Sequence, residues 1–438
     1  MMDVERIVRI ALETGAEEVA ARRVESRDKQ VRFSRGGVDI VNTWQTVSTG
    51  VFIATDGRTT GVEIKRGEDP KEVLEKAVRF CRRLPENRDF VGLYPGGGGS
   101  REPDPFHLED IFDAVKEAMD AGRREGVKRI SGELYLSDEK VELATNYTTR
   151  EERRSFLITT VRAFNEEGTT GQASTHVADE DSYKKWGPGF VGEKAAKLAS
   201  MNRSVRQGEE GNYTVLFDPL CFGALLSEVS EALSAFLVDT GMSFFINLLG
   251  ERVSTDGFTL YDDPLRPGGG ARGFDDEGAP TRRNLLIEKG ILKSYLHTHS
   301  TAKKFSTSTT ANASGGRIMS TLLPEGWQPF LAPGRRSWED ILGDIKRGLY
   351  IANTWYTRYQ DLRAGDFSTI PRDGIFLIED GEIKEAWGGV RISENMLKLL
   401  KNVKDVSSEA LPSHWWGEAR RAYSPHVLVD NVKITKAR

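Results

Sequence analysis

Apolar residues recur at helical spacing between residues 219 and 237, and polar residues fall elsewhere on the helical wheel. The apolar seam comprises Phe222, Leu226, Val229, Leu233 and Phe236. Asp218 followed by Pro219 is typical of an N-cap and the first helical position, and Thr240-Gly241 indicates the helix end. We therefore expect a helix from Pro219 to about Leu237, preceded by a strand at 214–217. We expect the C-terminal half to be organised around it.

The first half of the chain shows a pattern of helix, strands and helix that occurs twice. Helices are expected from Ile7, ended by Gly15, and at Pro70–Arg82, His107–Arg124 and Glu193–Asn202. The strand candidates are Glu18–Glu25, Gln30–Phe33, Val38–Val41, Val47–Ala54, Thr60–Lys65, Arg129–Leu136, Val141–Thr145, Phe156–Phe164 and Gly171–Val177. A shift of 110 residues places Thr59-Thr60-Gly61 on Thr169-Thr170-Gly171. We interpret residues 1–207 as two repeat units, about 1–95 and 106–207, joined by a Gly-rich linker at 95–105.

Hairpins dominate the pattern of the second half. The predicted strand pairs are Asn284–Glu288 with Ile291–Leu296 and Ile375–Glu379 with Glu382–Ala386. Helices are expected near Thr301–Phe305, from Trp338 to Arg347 with Gly348 as the cap, and from Ser393 to Lys401; Val427–Ile434 is the last strand. The expected fold class is α+β, with a duplicated helix–antiparallel-sheet–helix N-terminal region and a mixed, mainly antiparallel, β-rich C-terminal domain at 211–438.

Composition excludes several classes of protein. Of 438 residues, 38% are hydrophobic and 29% charged, and the net charge of −5 argues against a basic nucleic-acid-binding face. The basic pairs Arg123-Arg124, Arg153-Arg154 and Arg335-Arg336 are expected on an ion-paired surface. The two cysteines, Cys81 and Cys221, are expected to be buried and free. No signal peptide or membrane-spanning run is evident, so we expect a cytoplasmic chain.

Three local patterns suggest chemistry but are better explained by ordinary structure. Gly187–Gly192 matches G-x-G-x-x-G without a preceding apolar strand, so we expect a loop with a helix start. His297 and His299 would share one face of a strand as a metal pair, but two partly exposed polar residues are the favoured interpretation. The carboxylates of 262–263 and 275–277 are expected to be solvated turn residues.

An ordered series of motifs resembles the TldD/PmbA family. The motifs are Asp56-Gly57-Arg58 before Gly61, then 273–280 (GFDDEGAP), 286–292 (LIEKGIL) with Ala302, 348–351 (GLYI), 365–368 (GDFS), 377–383 (LIEDGEI) and Ser424-Pro425 with 427–432. The resemblance implies an α+β fold whose subunits pair into dimers enclosing a cavity. In the protease subunits of this family, H-E-x-x-x-H on a helix and a later Cys bind zinc, and the Glu acts as general base.

This chain departs from the zinc motif at each ligand position. The matching window, 227–232, reads SEVSEA, so Ser227 and Ala232 stand where the imidazoles would be, and no Cys follows Cys221. Glu228 remains as a relic of the general base. The resemblance therefore implies the non-catalytic PmbA/TldE-like branch, with no metal or cofactor in this chain and zinc in a TldD-like partner subunit.

The candidate cavity residues are Ser227, Glu228, His297, His299, His414 and Trp415. Adjacent Trp415 and Trp416 would clamp a peptide or seal an interface, although core packing of at least one is favoured. The first hypothesis is a non-catalytic subunit of a zinc metalloprotease heterodimer that degrades unfolded peptides. The alternative is a homodimeric protein that binds peptides or a small ligand without peptidase activity. A third is a hydrolase with an unfamiliar site at His297, His299, Glu228 and His414. A nucleic-acid partner or a membrane is not expected.

Overall fold

The N-terminal half forms one antiparallel sheet with helices against it, in a computed structural model that describes residues 3–97, 106–415 and 421–437. Its helices are α1 Val4–Glu13, α2 Pro70–Cys81, α3 Ile111–Arg124, α4 Glu180–Trp186 and α5 Pro188–Met201. Its strands are β1 Glu18–Ser34, β2 Gly37–Thr55, β3 Arg58–Glu63, β4 Arg129–Thr145, β5 Thr149–Phe164 and β6 Thr170–Val177.

The strand order shows two similar halves side by side. In the described residues the sheet runs β3-β2-β1-β4-β5-β6, so each predicted repeat unit contributes three consecutive strands. β1 pairs antiparallel with β4 from Ala20↔Thr145 to Phe33↔Gly132, which joins the halves. Helices α1 and α2 pack on one half, and α3 and α5 pack on the other. The proposed division near residue 207 stays a prediction, as does the linker at 95–105, of which 98–105 lie outside the described residues.

Several predicted N-terminal elements have different limits. Short strands that were predicted as separate pairs form single long strands, as in β1. In β1 the buried Asp28 stays within the strand pairing because it accepts a hydrogen bond from Ser137 Oγ at 2.6 Å. The helix predicted from His107 begins at Ile111, where the Asp110 side chain caps it. The helix predicted from Glu193 begins at Pro188. The helix start expected in the G-x-G-x-x-G segment is therefore correct, but the expected loop is wrong, because only Gly187 separates α4 from α5, and α4 was not predicted.

The C-terminal half is built of β-sheets with a few short helices. The helices are α6 Pro219–Ala232, α7 Ala235–Asp239, α8 His299–Lys304, α9 Trp338–Gly343 and α10 Met396–Lys401. The strands are β7 Arg206–Gln207, β8 Gly211–Phe217, β9 Leu260–Asp262, β10 Asn284–Glu288, β11 Ile291–Leu292, β12 Ala313–Ser314, β13 Leu323–Pro324, β14 Pro329–Leu331, β15 Arg347–Asp361, β16 Asp366–Glu379, β17 Glu382–Gly388, β18 Val390–Asn395, β19 Val403–Val406, β20 Leu411–His414, β21 Arg421–Ser424 and β22 Val427–Lys436.

Two larger sheets surround helix α6. In the described residues one sheet runs β11-β10-β9-β14-β21-β20, and the other runs β15-β8-β22-β18-β16-β17-β7. β15 also pairs with β16, which closes a ring of strands. Helix α6 packs against β15, β20 and β21, and its seam residues Phe222, Leu226 and Val229 lie in the largest apolar core. The predicted α+β fold class, with mainly antiparallel sheets, is confirmed.

The helix predicted to continue to Leu237 ends at Ala232. Ser234 is extended, with φ −61° and ψ 120°, and forms a parallel bridge with Leu296. The Leu296 amide donates to the Leu233 carbonyl at 2.8 Å. A tertiary contact that the local pattern does not encode therefore interrupts the helix, and α7 follows as a separate turn.

Other C-terminal predictions were wrong in their limits. The helix from Trp338 ends at Gly343, and Gly348 lies within β15 instead of capping that helix. The helix predicted from Ser393 begins at Met396, because Val390–Asn395 is a strand paired with β16 and β22. Both cysteines are buried and free, as expected.

Candidate functional site

Residues 227–232 of α6, where the resemblance predicts the position of the zinc motif, are closely packed against neighbouring elements. Ser227 is buried, and its hydroxyl donates to the Gly223 carbonyl at 3.2 Å. A Cβ at Gly223 would collide with Ser413 Oγ, which shows how closely α6 approaches β20. Ala232 is 1% exposed. Ser227 and Ala232 therefore help α6 to pack against the sheets around it.

Glu228, the relic of the general base, is half-buried on the same helix. It lies near the Tyr359 hydroxyl: burial raises the pKa of Tyr359, and the Glu228 and Glu231 carboxylates raise it further. Tyr359 in turn stacks on Phe244 with ring centroids 6.1 Å apart. The Glu228 carboxylate thus borders an aromatic group near the end of α6.

The residues present do not fit a zinc ion of the family's type. The hydroxyl of Ser227 and the methyl group of Ala232 cannot serve as imidazole ligands, and no Cys follows Cys221 in the sequence. In residues 3–97, 106–415 and 421–437, no three His, Cys, Asp or Glu side chains come together as a metal site would require. Zinc chemistry is therefore not assigned to this chain.

His297 and His299 lie at the start of a helix, not on one strand face. Between them Thr298 caps α8 through a capping box with Thr301. His297 is 3% exposed, with its ring edge-on to Phe305 and its Nδ1 3.3 Å from Thr301 Oγ1. Burial lowers the pKa of His297 to about 4. The expectation of two partly exposed residues is therefore wrong for His297.

His299 is half-buried, and its contacts differ from those of His297. Its backbone amide donates to Glu277 Oε2 at 2.8 Å, and its ring meets Tyr94 edge-on at 6.1 Å. Burial lowers the pKa of the His299 imidazole, and Lys303 lowers it further. His299 therefore lies at a contact between α8 and the N-terminal half.

His414 lies on β20 opposite Arg421. Its Nδ1 is buried and has no hydrogen-bond partner among the described residues. Burial, with a smaller effect of the Arg421 cation, lowers the pKa of His414 to about 3. β20 also packs against β6, so His414 lies where the two halves of the chain meet.

Trp415 is a core residue, which agrees with the favoured interpretation of the Trp pair. It is 7% exposed, packs with Leu220 and Ala224 of α6, and donates from Nε1 to the Thr354 carbonyl at 2.6 Å. Its ring meets Trp355 edge-on at 6.1 Å. Trp416, the second member of the pair, lies outside the described residues.

The structure does not bring these candidates together at one point. In the described residues, β11 and β20 are at opposite edges of their sheet; His297 follows the first and His414 ends the second. Trp415 instead supports Trp355, which lines a groove of about 590 Å³ between the N-terminal sheet and β15. Phe33, Ile40 and Arg162 line the same groove. Trp415 is thus connected, through Trp355, to an open concave surface.

The acidic segment 275–277 is buried, which contradicts the expectation of solvated turns. Asp275 Oδ1 accepts from the amides of Glu277 and Ala279 at 3.0 and 2.9 Å, and burial raises the pKa of Asp275 to about 7. Asp276 pairs with Arg22 of β1 at 2.5 Å. Asp262 and Asp263 are also buried, and Asp262 accepts from the amides of Trp327 and Gln328. These carboxylates hold loops and the two halves of the chain in place.

The expectation of a solvated surface is also wrong for Arg154. Its side chain is 17% exposed and pairs with Glu139 at 2.6 Å. Glu152, on the same strand, lies 3.8 Å from Arg154 and accepts from the Gly273 amide at 2.6 Å. Arg154 therefore belongs to the ionic contact between β5 and the segment around residue 273.

A buried polar cluster was missed by the sequence analysis. Asp218 Oδ2 accepts from the Tyr350 hydroxyl at 2.6 Å and from Lys194 Nζ at 2.7 Å, and His426 Nε2 lies 3.7 Å away. Lys194 and His426 lower the pKa of Asp218 against the opposing effect of burial. The sequence signals were the Asp-Pro helix start, interpreted only as a cap, and His426 directly after the Ser424-Pro425 motif. The cluster lies at the floor of a cleft of about 460 Å³.

Comparisons with known proteins agree with the motif series. Residues 210–436 match the family described as PmbA/TldA metallopeptidase C-terminal domain. A protein named Metalloprotease from Methanothermobacter thermautotrophicus is 30% identical over 251 residues, which cover 56% of this chain and 54% of that protein. A Metalloprotease TldD homolog from Buchnera aphidicola (Schizaphis graminum) is 24% identical, covering 63% and 58%. The chain thus spans a little over half the length of these two curated relatives.

The structure of TldE from Thermococcus kodakarensis superimposes on nearly the whole chain. The TM-score is 0.85, and the match covers 98% of this chain and 99% of that one at 22% sequence identity. At this identity the likeness shows the fold alone. No helix in the described residues is long and apolar enough to cross a membrane. Because the family match spans more than half of the chain, from residue 210 to residue 436, the protein belongs to the PmbA/TldD family.

Proposed function

We propose that this chain is a non-catalytic subunit that pairs with a zinc-bearing TldD-like chain in the cytoplasm, and that the complex degrades unfolded peptides. The observation that carries the proposal is an apolar strand edge on β2. Five large apolar side chains of this strand are 41–46% exposed: Val38, Ile40, Val41, Trp44 and Val47. They lie on both faces of the strand, and exposed apolar surface of this extent indicates a protein interaction site.

The backbone of the same strand is open to pairing. β1 pairs with β2 along its length, whereas β3 pairs only with residues 50–55. In the described residues no strand pairs with the outer edge of 37–48. A long apolar edge is a template for a strand of another chain, and isolated subunits normally shield such an edge. The second subunit of a complex would cover both the main-chain groups and the apolar side chains.

The absence of the zinc-binding residue types from α6 supports a non-catalytic role for this chain beside a catalytic partner subunit. Ser227 and Ala232 are buried, so these positions of α6 contribute to packing. In the family, the zinc-activated water and the general base act together, and this chain retains only Glu228 of that set. The proposal therefore assigns the bond-breaking chemistry to the partner.

The groove beside Trp355 supports a role in holding peptides. Its walls combine Phe33, Ile40 and Trp355 with the charged side chains of Arg32 and Glu133. An extended peptide is typically held by main-chain hydrogen bonds to a strand edge and by apolar contacts to alternate side chains. Ile40 belongs to both the groove and the open edge of β2, so the two surfaces are continuous.

The test is reconstitution of peptide hydrolysis from separately purified chains. This chain, a TldD-like chain from the same organism and their mixture are compared on an unfolded peptide. The mixture is expected to be at least about tenfold faster than the TldD-like chain, and this chain alone is expected to be inactive. Equal rates for the mixture and the TldD-like chain would contradict the proposal.

Two other outcomes identify the alternatives. Hydrolysis by this chain alone, lost when Glu228 is replaced by Gln, would favour a self-sufficient hydrolase. A stable homodimer that ignores the TldD-like chain would favour a binding protein without peptidase activity, because the open β2 edge also suits a second copy of this chain.

A further inference from the structure

A cleft between the two halves of the chain has the features of a ligand site. Its lining includes no residue of the β2 edge that is proposed to bind the TldD-like chain. It has a volume of about 460 Å³ and lies between α5, α9 and the segment 407–411. This volume is within the range of small-molecule sites, about 300–1,000 Å³. Its apolar walls include Phe190, Leu198, Trp338 and Ile383.

The polar floor of this cleft is electrically balanced. Asp218 is fully buried and carries one negative charge, which Lys194 Nζ neutralises at 2.7 Å. Burial lowers the pKa of His426, so its imidazole is neutral at pH 7. An anion would gain little from Lys194, because the Asp218 carboxylate already occupies one side of that ammonium group.

The rim of the cleft carries one uncompensated charge. Glu193 pairs with Lys197, and Glu409 pairs with Lys185. Glu339, which also lines the cleft, is exposed and has no ion pair or hydrogen bond among the described residues. The lining has four carboxylates and two ammonium groups, a net charge of −2. Once Lys185, which pairs with Glu409 from outside the lining, is counted, one negative charge remains, at Glu339.

Aromatic groups line the same cleft as that carboxylate. Trp338, the neighbour of Glu339 in the chain, stacks on His426 with ring centroids 5.0 Å apart and an interplanar angle of 17°. Trp338 also packs against Tyr350 at 6.2 Å. Stacking holds the indole in place as a cleft wall. Glu339 also acts electrostatically on His426, the ring on which Trp338 stacks. An indole and a carboxylate that line one cleft favour an organic ammonium or guanidinium group, since both the π-electrons and the negative charge attract it.

From these features we propose that the cleft binds a small organic cation with an apolar body, such as an arylalkylamine or a basic side chain. The ammonium group would lie between Glu339 and the Trp338 face, and the apolar body would contact Phe190, Leu198 and Ile383. Ser408, an exposed residue of the rim, is the place where the cleft can be blocked. The inference does not depend on the pairing with a TldD-like chain.

Calorimetric titration of the full chain with three probes of similar size tests the proposal. The probes are 2-phenylethylammonium, 2-phenylethanol and 3-phenylpropionate. The ammonium is expected to bind at least about fivefold more tightly than the carboxylate. Glu339→Gln is expected to weaken ammonium binding about fivefold, equivalent to about 1 kcal/mol, and to leave the alcohol unchanged.

Two further variants keep the test decisive. Glu251→Gln, at an exposed carboxylate outside the cleft lining, is the matched control and should leave all affinities unchanged. Ser408→Trp should remove ammonium binding by filling the cleft. The proposal is overturned by equal or tighter carboxylate binding, by no saturation with any probe up to about 5 mM, by equal losses in both Gln variants, or by full binding in Ser408→Trp.

Discussion

The Asp276 carboxylate lies 2.5 Å from Arg22 Nη1, and this ion pair ties the segment 273–280 to the N-terminal sheet. The same Asp276 oxygen accepts from the Gly315 amide at 2.8 Å, so one carboxylate joins β1 to two C-terminal segments. The side chains of Asp276 and Arg22 are 5% and 16% exposed. The acidic motif is thus a structural clamp between the two halves of the chain.

Asp276→Asn should destabilise the protein, because it leaves the largely buried Arg22 cation without its partner. We expect the free energy of unfolding to fall by about 3 kcal/mol, the lower end for breaking a buried pair. Urea unfolding followed by tryptophan fluorescence measures the change. Lys384→Ala, which breaks an exposed ion pair, is the control and should have no measurable effect. Equal stability of Asp276→Asn and wild type would contradict the clamp.

Trp415 should behave as a core residue and not as a peptide contact. Trp415→Ala removes a ring buried against Leu220 and Ala224 and should cost about 3–5 kcal/mol of unfolding free energy. Trp415→Phe keeps most of the ring and loses the hydrogen bond to the Thr354 carbonyl, so it should cost far less than Ala. Chemical unfolding of both variants tests this, and a loss below about 1 kcal/mol for Trp415→Ala would show that the ring is not core.

The buried imidazole of His297 should make stability depend on pH in one direction. Its pKa is about 4 in the folded state, below the value of about 6.5 in the unfolded chain. The unfolded state therefore binds more protons, and the stabilisation is present above pH 6.5 and is lost as the pH falls towards 4. The shift corresponds to about 3 kcal/mol.

Comparison with His297→Gln isolates this contribution, because buried Asp275, whose pKa is raised to about 7, acts in the opposite direction over part of the range. The unfolding free energy of wild type minus that of the variant should decrease as the pH is lowered from 7 to 4. His107→Gln, at an exposed position, is the matched control. A difference for His297→Gln that stays constant over this range would refute the prediction.

The open edge of β2 should control subunit association. The double variant Val41→Lys and Trp44→Lys removes two large apolar contacts and adds charges that disfavour strand pairing. We expect at least about a tenfold weaker complex with the TldD-like chain, measured by sedimentation velocity, with the fold retained. Phe80→Lys, at an apolar residue of α2 that is 57% exposed, is the control. Unchanged affinity of the double variant would place the interface elsewhere.

Local patterns predicted the fold class and the start of α6, because periodicity and capping are encoded by neighbouring residues. The end of the helix at Ala232 was not predictable in this way. Leu233 and Ser234 pair through backbone groups with Leu296, a residue far away in the sequence. The burial of Asp275, Asp276 and Glu277 was missed for the same reason: the groups that satisfy them, such as Arg22 and Ala313, come from other segments.

In the candidate site, too, residue types could be recognised from the sequence, whereas contacts between distant segments could not. The expectation that Ser227 and Ala232 stand at the zinc-ligand positions of the family comes from residue types and the motif resemblance alone, and it stays a prediction. That Trp415 supports Trp355, and that Lys194, Asp218, Tyr350 and His426 meet, depends on the packing of helices and strands from both halves of the chain.

Native mass spectrometry with metal analysis, on this chain captured from its own cells, would show whether it pairs with a zinc-bearing subunit. We expect a complex with a second chain of similar size that holds about one zinc ion, all of it in the partner, since a catalytic site of this type binds one ion. A homodimer or monomer of this chain with stoichiometric zinc of its own would contradict it.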